Sequence, residues 1–177
     1  MSLTVSVLAR HHDRNDFDCG QPAHNVFLQR LARQQSERDF SRTYVAVRAH
    51  ETTDQSRIRG FYAISAASID FQNWPPHLKL PRYPVSVARM GRLAVDLREQ
   101  GRGVGAALLL HAVNLSLSLA QQIGLHALIV DAKSESAAAY YARFGFQRFS
   151  DQTLCVFLTT DVIRRAQHCT DQSGAQH

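Results

Sequence analysis

Lysine is nearly missing from this chain: of its 20 basic residues only Lys79 and Lys133 are lysine, and the other 18 are arginine. Guanidinium groups bind phosphate in bidentate fashion and stack on bases, so the bias suits a nucleic-acid partner. It equally suits a GC-rich genome and alone decides little. Cysteine is scarce and odd in number, and Cys19, Cys155 and Cys169 are too far apart for a disulfide framework or a metal spacing. They read as free thiols in a reducing compartment. The nine histidines form no H-x-x-x-H pair and no cluster with cysteine, so no metal site is expected. No unbroken apolar run reaches 18 residues, which leaves no obvious membrane span. Val7-Leu8-Ala9 gives way at once to Arg10-His11-His12-Asp13-Arg14, so no signal-peptide core forms there. Together these absences make a cytoplasmic protein the expectation.

What remains is an ordinary globular composition, 45% hydrophobic and 20% charged, with a net charge of +5 over 177 residues. That length fits one domain with a real core. A single domain is expected over residues 1–166, followed by a polar, flexible tail over 167–177. Leu3 to Ala9 alternates apolar and polar and reads as a strand. Gln21 to Glu37 reads as a helix with Pro22 in its first turn and Val26, Phe27, Leu28 and Leu31 on or near one face. Strands follow over 43–48 and 59–71, separated by a polar turn over 50–57. Four of the five prolines lie between Trp74 and Pro84, which makes that stretch a rigid, extended loop. Val85 to Asp96 reads as a strand and Gly103 to Gln122 as a helix apolar nearly all round, hence buried against a sheet. A strand over 126–132, a short helix over 136–144 and a last strand over 154–159 complete the pattern. The order β-α-β-β-β-α-β-α-β implies an α/β (α+β) fold with a central mixed sheet flanked by helices.

The segment Leu97-Arg98-Glu99-Gln100-Gly101-Arg102-Gly103-Val104-Gly105-Ala106 carries the strongest chemical signal. Small residues at the mouth of a long helix let a ligand's phosphates approach the backbone. The unpaired N–H groups of the first helical turn then face them, and the helix dipole favours their charge. Arg98 and Arg102 are placed to add charge-assisted bonds. A P-loop is excluded because Gly-Lys-Ser/Thr is absent, and a Rossmann turn because this turn comes late in the chain rather than in an early βαβ position.

Gln100-x-x-Gly103-x-Gly105, between a strand and a helix, resembles the signature of the GCN-five-related N-acetyltransferases, the GNAT superfamily. The resemblance implies a central mixed, splayed sheet and an acetyl-CoA cofactor. In that family the loop backbone binds the coenzyme A pyrophosphate, and the preceding strand, here Leu93, Ala94 and Val95, pairs with the pantetheine arm and points an N–H at the thioester oxygen. Three blocks widen the match: Phe17-Asp18-Cys19-Gly20, Gly91-Arg92-Leu93-Ala94-Val95-Asp96, and Ala138-Ala139-Tyr140-Tyr141-Ala142-Arg143-Phe144-Gly145-Phe146. They resemble the GNAT toxins of bacterial toxin–antitoxin modules, with Tyr140 in place of a usual phenylalanine. That resemblance implies an enzyme that acetylates the amino group of aminoacyl-tRNA, a ribbon-helix-helix antitoxin as partner, and a homodimer.

Aminolysis of a thioester needs a neutral amine, a donor for the developing oxyanion and a proton for the departing thiolate. An α-amino group titrates near ~8, so a neutral fraction exists without a strong base. Positioning and electrostatics can then supply most of the rate. The Val95 N–H is the candidate oxyanion donor. Tyr141 is the candidate general acid, with Tyr140, about 100° away around the helix, as competitor and more plausibly core. Asp96 and Glu99 are candidate bases, set against a strand-end cap and a solvated charge. Asn114 lies in the helix that follows the glycine turn. Ser134 or Ser136 is a candidate N-cap, and the resemblance lets Lys133 or Ser136 touch the cofactor.

For a tRNA acceptor the basic candidates are Arg30 and Arg33, which share a helix face, then Arg38 and Arg42, and Arg82, Arg89 and Arg92 around the proline loop and the strand after it. Two other functions fit less of the pattern. A GNAT enzyme for a small amine or a protein N-terminus would be expected to have an acidic cleft. A non-catalytic acetyl-CoA- or RNA-binding module would not need Tyr141.

Overall fold

The computed structural model describes residues 2–48, 57–149 and 154–174. Nearly all of the polar turn expected over 50–57 lies outside the described residues. Seven strands are described: β1 (Leu3–Val7), β2 (Arg42–Arg48), β3 (Gly60–Ile69), β4 (Val85–Val95), β5 (Ala127–Asp131), β6 (Gln147–Arg148) and β7 (Cys155–Thr159). They form one sheet in the order β1-β2-β3-β4-β5-β7-β6. The helices are α1 (Pro22–Val26), α2 (Ala32–Glu37), α3 (Val104–Ile123), α4 (Glu135–Ala142) and α5 (Thr160–Gly174). This is the mixed-sheet α/β architecture that the sequence implied. The chain divides into two compact units, residues 1–65 with 90–112, and residues 66–89 with 113–177.

In the first unit β1 pairs antiparallel with β2, Leu3 opposite Arg48 through Val7 opposite Tyr44. β2 pairs antiparallel with β3, Arg42 opposite Ile64 through Ala46 opposite Gly60. The first half of β3 is buried on both faces. Its Phe61 meets Phe17 edge-on at 5.4 Å and stacks with Phe27 at 6.0 Å. Leu28, Val45 and Ile58 close the same cluster. Each such side chain contributes roughly 2–3 kcal/mol by leaving water. Where one regular helix was expected over 21–37, a π turn at Phe27–Leu31 separates α1 from α2. A π turn holds one residue more than an α turn and rotates the register. Phe27, Leu28 and Ala32 therefore face the core, while Val26 and Leu31, expected beside them, are exposed.

In the second unit β5 pairs antiparallel with β7, Ala127 opposite Thr159 through Asp131 opposite Cys155, and β6 extends β7. Ala127, Leu128, Ile129 and Val130 are all buried, which explains their unbroken apolar run. The proline-rich loop is anchored by its buried Trp74, whose ring meets Phe149 at 4.9 Å and Phe157 at 5.0 Å. Ser134, not Ser136, caps α4 by accepting from the Ala137 N–H at 3.1 Å. α5 occupies most of the segment expected to be only a polar tail; an Arg165–Asp161 pair one turn apart braces it.

α3 is less thoroughly buried than its composition implied. Leu108, Leu109, Ala112 and Leu117 are buried, but Leu110 and Ile123 are exposed. By length and composition alone α3 would suffice to cross a membrane, a property its His111, Asn114 and Ser116 hide from a scan for unbroken apolar runs. The core helix of a globular domain passes the same test.

Candidate active site

β4 ends at Val95, and the chain then makes a 3-10 turn, Leu97–Glu99, capped by Asp96, whose carboxylate accepts from the Arg98 N–H at 3.0 Å. Gln100, Gly101, Arg102 and Gly103 carry the chain to the start of α3. Gly101 and Gly103 hold φ of +74° and +81°, the left-handed region that costs a side-chain-bearing residue strain. A Cβ at either position would meet nothing within 4 Å. The glycines therefore serve the backbone shape and leave open space beside it. The first helical bond runs from the Ala107 N–H to the Gly103 carbonyl at 3.0 Å. The N–H groups of Val104, Gly105 and Ala106 precede it and are the orphan donors of the helix start. This backbone fits the pyrophosphate of a coenzyme A thioester. The Gln100 amide returns to the Val95 carbonyl at 3.3 Å and fixes the strand end that carries the Val95 N–H.

Two carboxylates lie beneath this turn, and both are buried. Glu99, weighed in the sequence as a solvated charge, is only 3% exposed. Arg48 and Arg59 each reach it at 2.8 Å, with Arg102 farther off at 4.0 Å. Burial alone would raise its carboxyl, but the Arg48 bond and the surrounding arginines hold it below the usual range. Asp96 is fully buried and accepts from the Arg98 side chain at 2.8 Å and from the Asp18 N–H at 3.3 Å. Burial would raise it too; the bonds from Arg98 and from the Asp18 backbone outweigh that and hold it at about 2. A carboxylate so depressed is a poor proton acceptor, so the geometry favours the cap over the base.

Arg98, expected to add bonds to phosphate, is already engaged: its guanidinium bridges Asp96 and Asp16. Arg102 is exposed and, among the described residues, its side chain keeps only the long contact to Glu99. Leu93 and Val95 are half-buried and Ala94 is buried. Phe17-Asp18-Cys19-Gly20 packs onto this strand end, with the Leu97 N–H donating to the Asp18 carbonyl at 2.8 Å.

In the second unit, Tyr141 on α4 is 6% exposed and stands beside Phe146 and Tyr140. Burial, reinforced by Tyr140, pushes its hydroxyl well above the usual tyrosine range. It therefore carries its proton at neutral pH and can donate it, but cannot act as a base. Its hydroxyl has no hydrogen-bond partner among the described residues. Tyr140 is only half-buried and touches Phe144, so the expectation that it belongs to the core is met in part. The Ser136 hydroxyl lies 2.9 Å from that of Ser134, and Lys133 is exposed. Asn114 accepts from Gln167 of α5 at 3.1 Å.

The basic candidates differ in how free they are. Arg33 pairs with Glu37 at 3.1 Å and Arg42 with Asp39 at 3.0 Å. Arg89 holds Asp131 in a fork at 2.7 and 2.9 Å. Arg92 lies over the Phe27 ring at 4.5 Å, and Arg38 over Phe40 at 4.7 Å. Arg30 and Arg82 are exposed. The ion pairs of Glu99 with Arg48 and Arg59 span 51 and 40 positions, and those of Arg98 with Asp16 span 82. No local spacing announces them in the sequence.

Comparison with known proteins agrees with this geometry. The acetyltransferase (GNAT) domain family matches residues 39–148. A tRNA-acetylating toxin of Mycobacterium tuberculosis (strain ATCC 25618 / H37Rv) is 34% identical over 137 residues, 76% of this chain and 78% of the relative. The structure of AtaT complexed with acetyl-methionyl-tRNAfMet superimposes with a TM-score of 0.85 at 28% identity, covering 94% of this chain and 99% of that one. A tyrosine-to-phenylalanine mutant of the AtaT toxin, bound to the C-terminus of the antitoxin AtaR and acetyl-CoA, gives a TM-score of 0.77 at 26% identity, covering 94% and 98%. The chain belongs to the GNAT acetyltransferase family. It is an N-acetyltransferase, and its acetyl donor is acetyl-CoA.

Proposed function

We propose that the protein is a toxin that transfers the acetyl group of acetyl-CoA to the α-amino group of aminoacyl-tRNA and so blocks translation. The observation that carries this reading is the likeness, over most of the chain, to a tRNA-acetylating toxin. Acetyl-CoA supplies the activated acyl carbon as a thioester. The strand residues Leu93, Ala94 and Val95 hold the pantetheine arm, and Gln100, Gly101, Arg102, Gly103, Val104, Gly105 and Ala106 hold the pyrophosphate. Ser136 touches the cofactor. Arg98 belongs to this site as a brace rather than a phosphate ligand, because its donors are engaged. The Val95 N–H donates to the carbonyl oxygen as negative charge develops there. The neutral amine attacks the carbonyl carbon, a C–N bond forms and the C–S bond breaks. Tyr141 gives its proton to the leaving thiolate, a role supported by its place in the block that ends in Phe144-Gly145-Phe146 and by its being protonated at neutral pH. The amine's surplus proton leaves to solvent, and solvent returns a proton to Tyr141.

The acceptor surface uses Arg30 and Arg38, which are exposed, with Arg33, Arg89 and Arg92 available after exchange of their present partners for phosphate. The partner is an antitoxin of the ribbon-helix-helix type, and the working form is a homodimer that extends the basic surface. The AtaT–AtaR complex supports an antitoxin as partner. The compartment is the cytoplasm, where charged tRNA is found; Cys19, Cys155 and Cys169, none of them in a disulfide among the described residues, fit it. Incubation with charged tRNAs and labelled acetyl-CoA tests the acceptor: label appears on the aminoacyl end, and no transfer to any charged tRNA refutes the reading.

A further inference from the structure

Arg98 occupies an unusual position for a residue of a phosphate-binding turn. Its Nε donates to Asp96 Oδ1 at 2.8 Å, and its Nη2 to Asp96 Oδ2 at 2.8 Å and to the Asp16 carbonyl at 2.7 Å. Its Nη1 donates to Asp16 Oδ2 at 2.9 Å. A guanidinium has five N–H donors in a planar fork, so this arrangement leaves little for an incoming ligand. Asp96 cannot follow Arg98 outward, because it is fully buried and also holds the Asp18 N–H.

The loop on the other side of the clamp is stiff. Asp18 Oδ1 accepts from the Gly20 N–H and from Asn25 Nδ2, both at 2.8 Å, and Asn25 Oδ1 accepts from the Cys19 N–H at 3.0 Å. Gly20 sits at φ +80° under Leu97, whose methyl would stand 3.2 Å from a Cβ there. Two stretches of chain some 80 positions apart thus form one rigid piece directly before the glycine turn.

We propose that Arg98 is a positioning residue: acting through Asp96 and Asp16, it locks the Asp16–Gly20 loop to the end of β4 and keeps the glycine turn in its acetyl-CoA-binding shape. This rests on the donor site assigned above. A turn that is already ordered binds without the cost of ordering it, so loosening the lock weakens acetyl-CoA binding even where the fold persists. Arg102, exposed beside the same turn, is left as its phosphate-facing cation.

The test is calorimetric acetyl-CoA binding, with Tm beside it, for Asp16→Asn, Arg98→Gln, Arg98→Lys and the Asp16→Asn/Arg98→Gln double variant. The Asp16–Arg98 pair is half-exposed and adds little to stability, so Asp16→Asn keeps the wild-type Tm. Its Kd for acetyl-CoA rises about 3- to 10-fold, and that of Arg98→Gln at least as much. The loss in the double variant is smaller than the sum of the two single losses, because both changes remove the Arg98–Asp16 contact, while Asp16 also pairs with Arg57 at 3.7 Å. Arg98→Lys does not rescue, since an ammonium lacks the fork. Arg102→Gln flattens the salt dependence of binding, and Arg98→Gln leaves it as in wild type. An unchanged Kd in Asp16→Asn, additive losses, or a flattened salt dependence in Arg98→Gln would overturn the proposal. Because calorimetry needs no acceptor, wild-type protein that binds acetyl-CoA yet acetylates no charged tRNA sinks the tRNA reading alone.

Discussion

Replacing Asp96 by asparagine removes the charge that organises the end of β4 while keeping its shape. The carboxyl is fully buried and held at about 2, against about 3.9 for an aspartate in an unfolded chain. A group whose folded pKa is depressed adds stability above its unfolded pKa and loses it as pH falls toward the folded one. Here that window runs from about pH 4 down to about pH 2. A gap of nearly two pKa units corresponds to about 2.5 kcal/mol at neutral pH. At pH 3 the unfolded carboxyl is mostly protonated and the folded one is not, so roughly half of that stabilisation is gone. Urea unfolding of wild type and Asp96→Asn at both pH values is the assay. The variant should be less stable by about 2–3 kcal/mol at pH 7, and the gap should narrow by about 1 kcal/mol at pH 3. A gap of the same size at both pH values would refute the claim that the buried charge, rather than the packing of the side chain, stabilises the turn.

Three further outcomes follow from the site. Tyr141→Phe keeps the ring in its aromatic pocket and removes the proton, so turnover falls by about 10²-fold or more while acetyl-CoA affinity stays near wild type; steady-state kinetics decide. Gly103→Ala forces a side chain into a φ of +81° and should lower stability by about 1 kcal/mol in denaturant unfolding and weaken acetyl-CoA binding in calorimetry. Glu99→Ala leaves Arg48 and Arg59 without their buried partner, at a cost of about 3–5 kcal/mol. In a chain of this length that lowers Tm by roughly 10 °C, read by calorimetric scanning.

The sequence makes some of this legible and hides the rest for a physical reason. Gln100 to Gly105 stands out because a phosphate-binding helix start is written in a few contiguous residues and in the helix that follows them. Tyr141 stands out through the block that ends in Phe144-Gly145-Phe146. The positions of most strands and helices along the chain follow from periodicity, because burial in each element repeats locally, whereas the two-residue β6 is too short to show one. The π turn at Phe27–Leu31 does not, since one extra residue changes the face without changing the composition. α5 escapes notice because Thr160–Gly174 is polar in composition; Ile163 is its one buried apolar residue among those whose side chains are described. Glu99 reads as a solvated charge until Arg48 and Arg59 arrive from β2 and the start of β3. The Phe17-Asp18-Cys19-Gly20 block is visible as a motif, but its work as a brace for β4 appears only when Asp18 meets Leu97 and Asp96.

The stitching of the first unit by arginine has a chemical corollary. Arg48, Arg57, Arg59 and Arg98 surround buried carboxylates beside the glycine turn proposed above to hold the acetyl donor. A guanidinium stays protonated and is no nucleophile under these conditions, whereas a lysine buried in the same place would shed its proton more readily and could be acylated. With only Lys79 and Lys133 in the whole chain, the enzyme offers its own acetyl donor two side-chain amines at most. A catalyst of amine acetylation is thereby made largely inert to its own reagent.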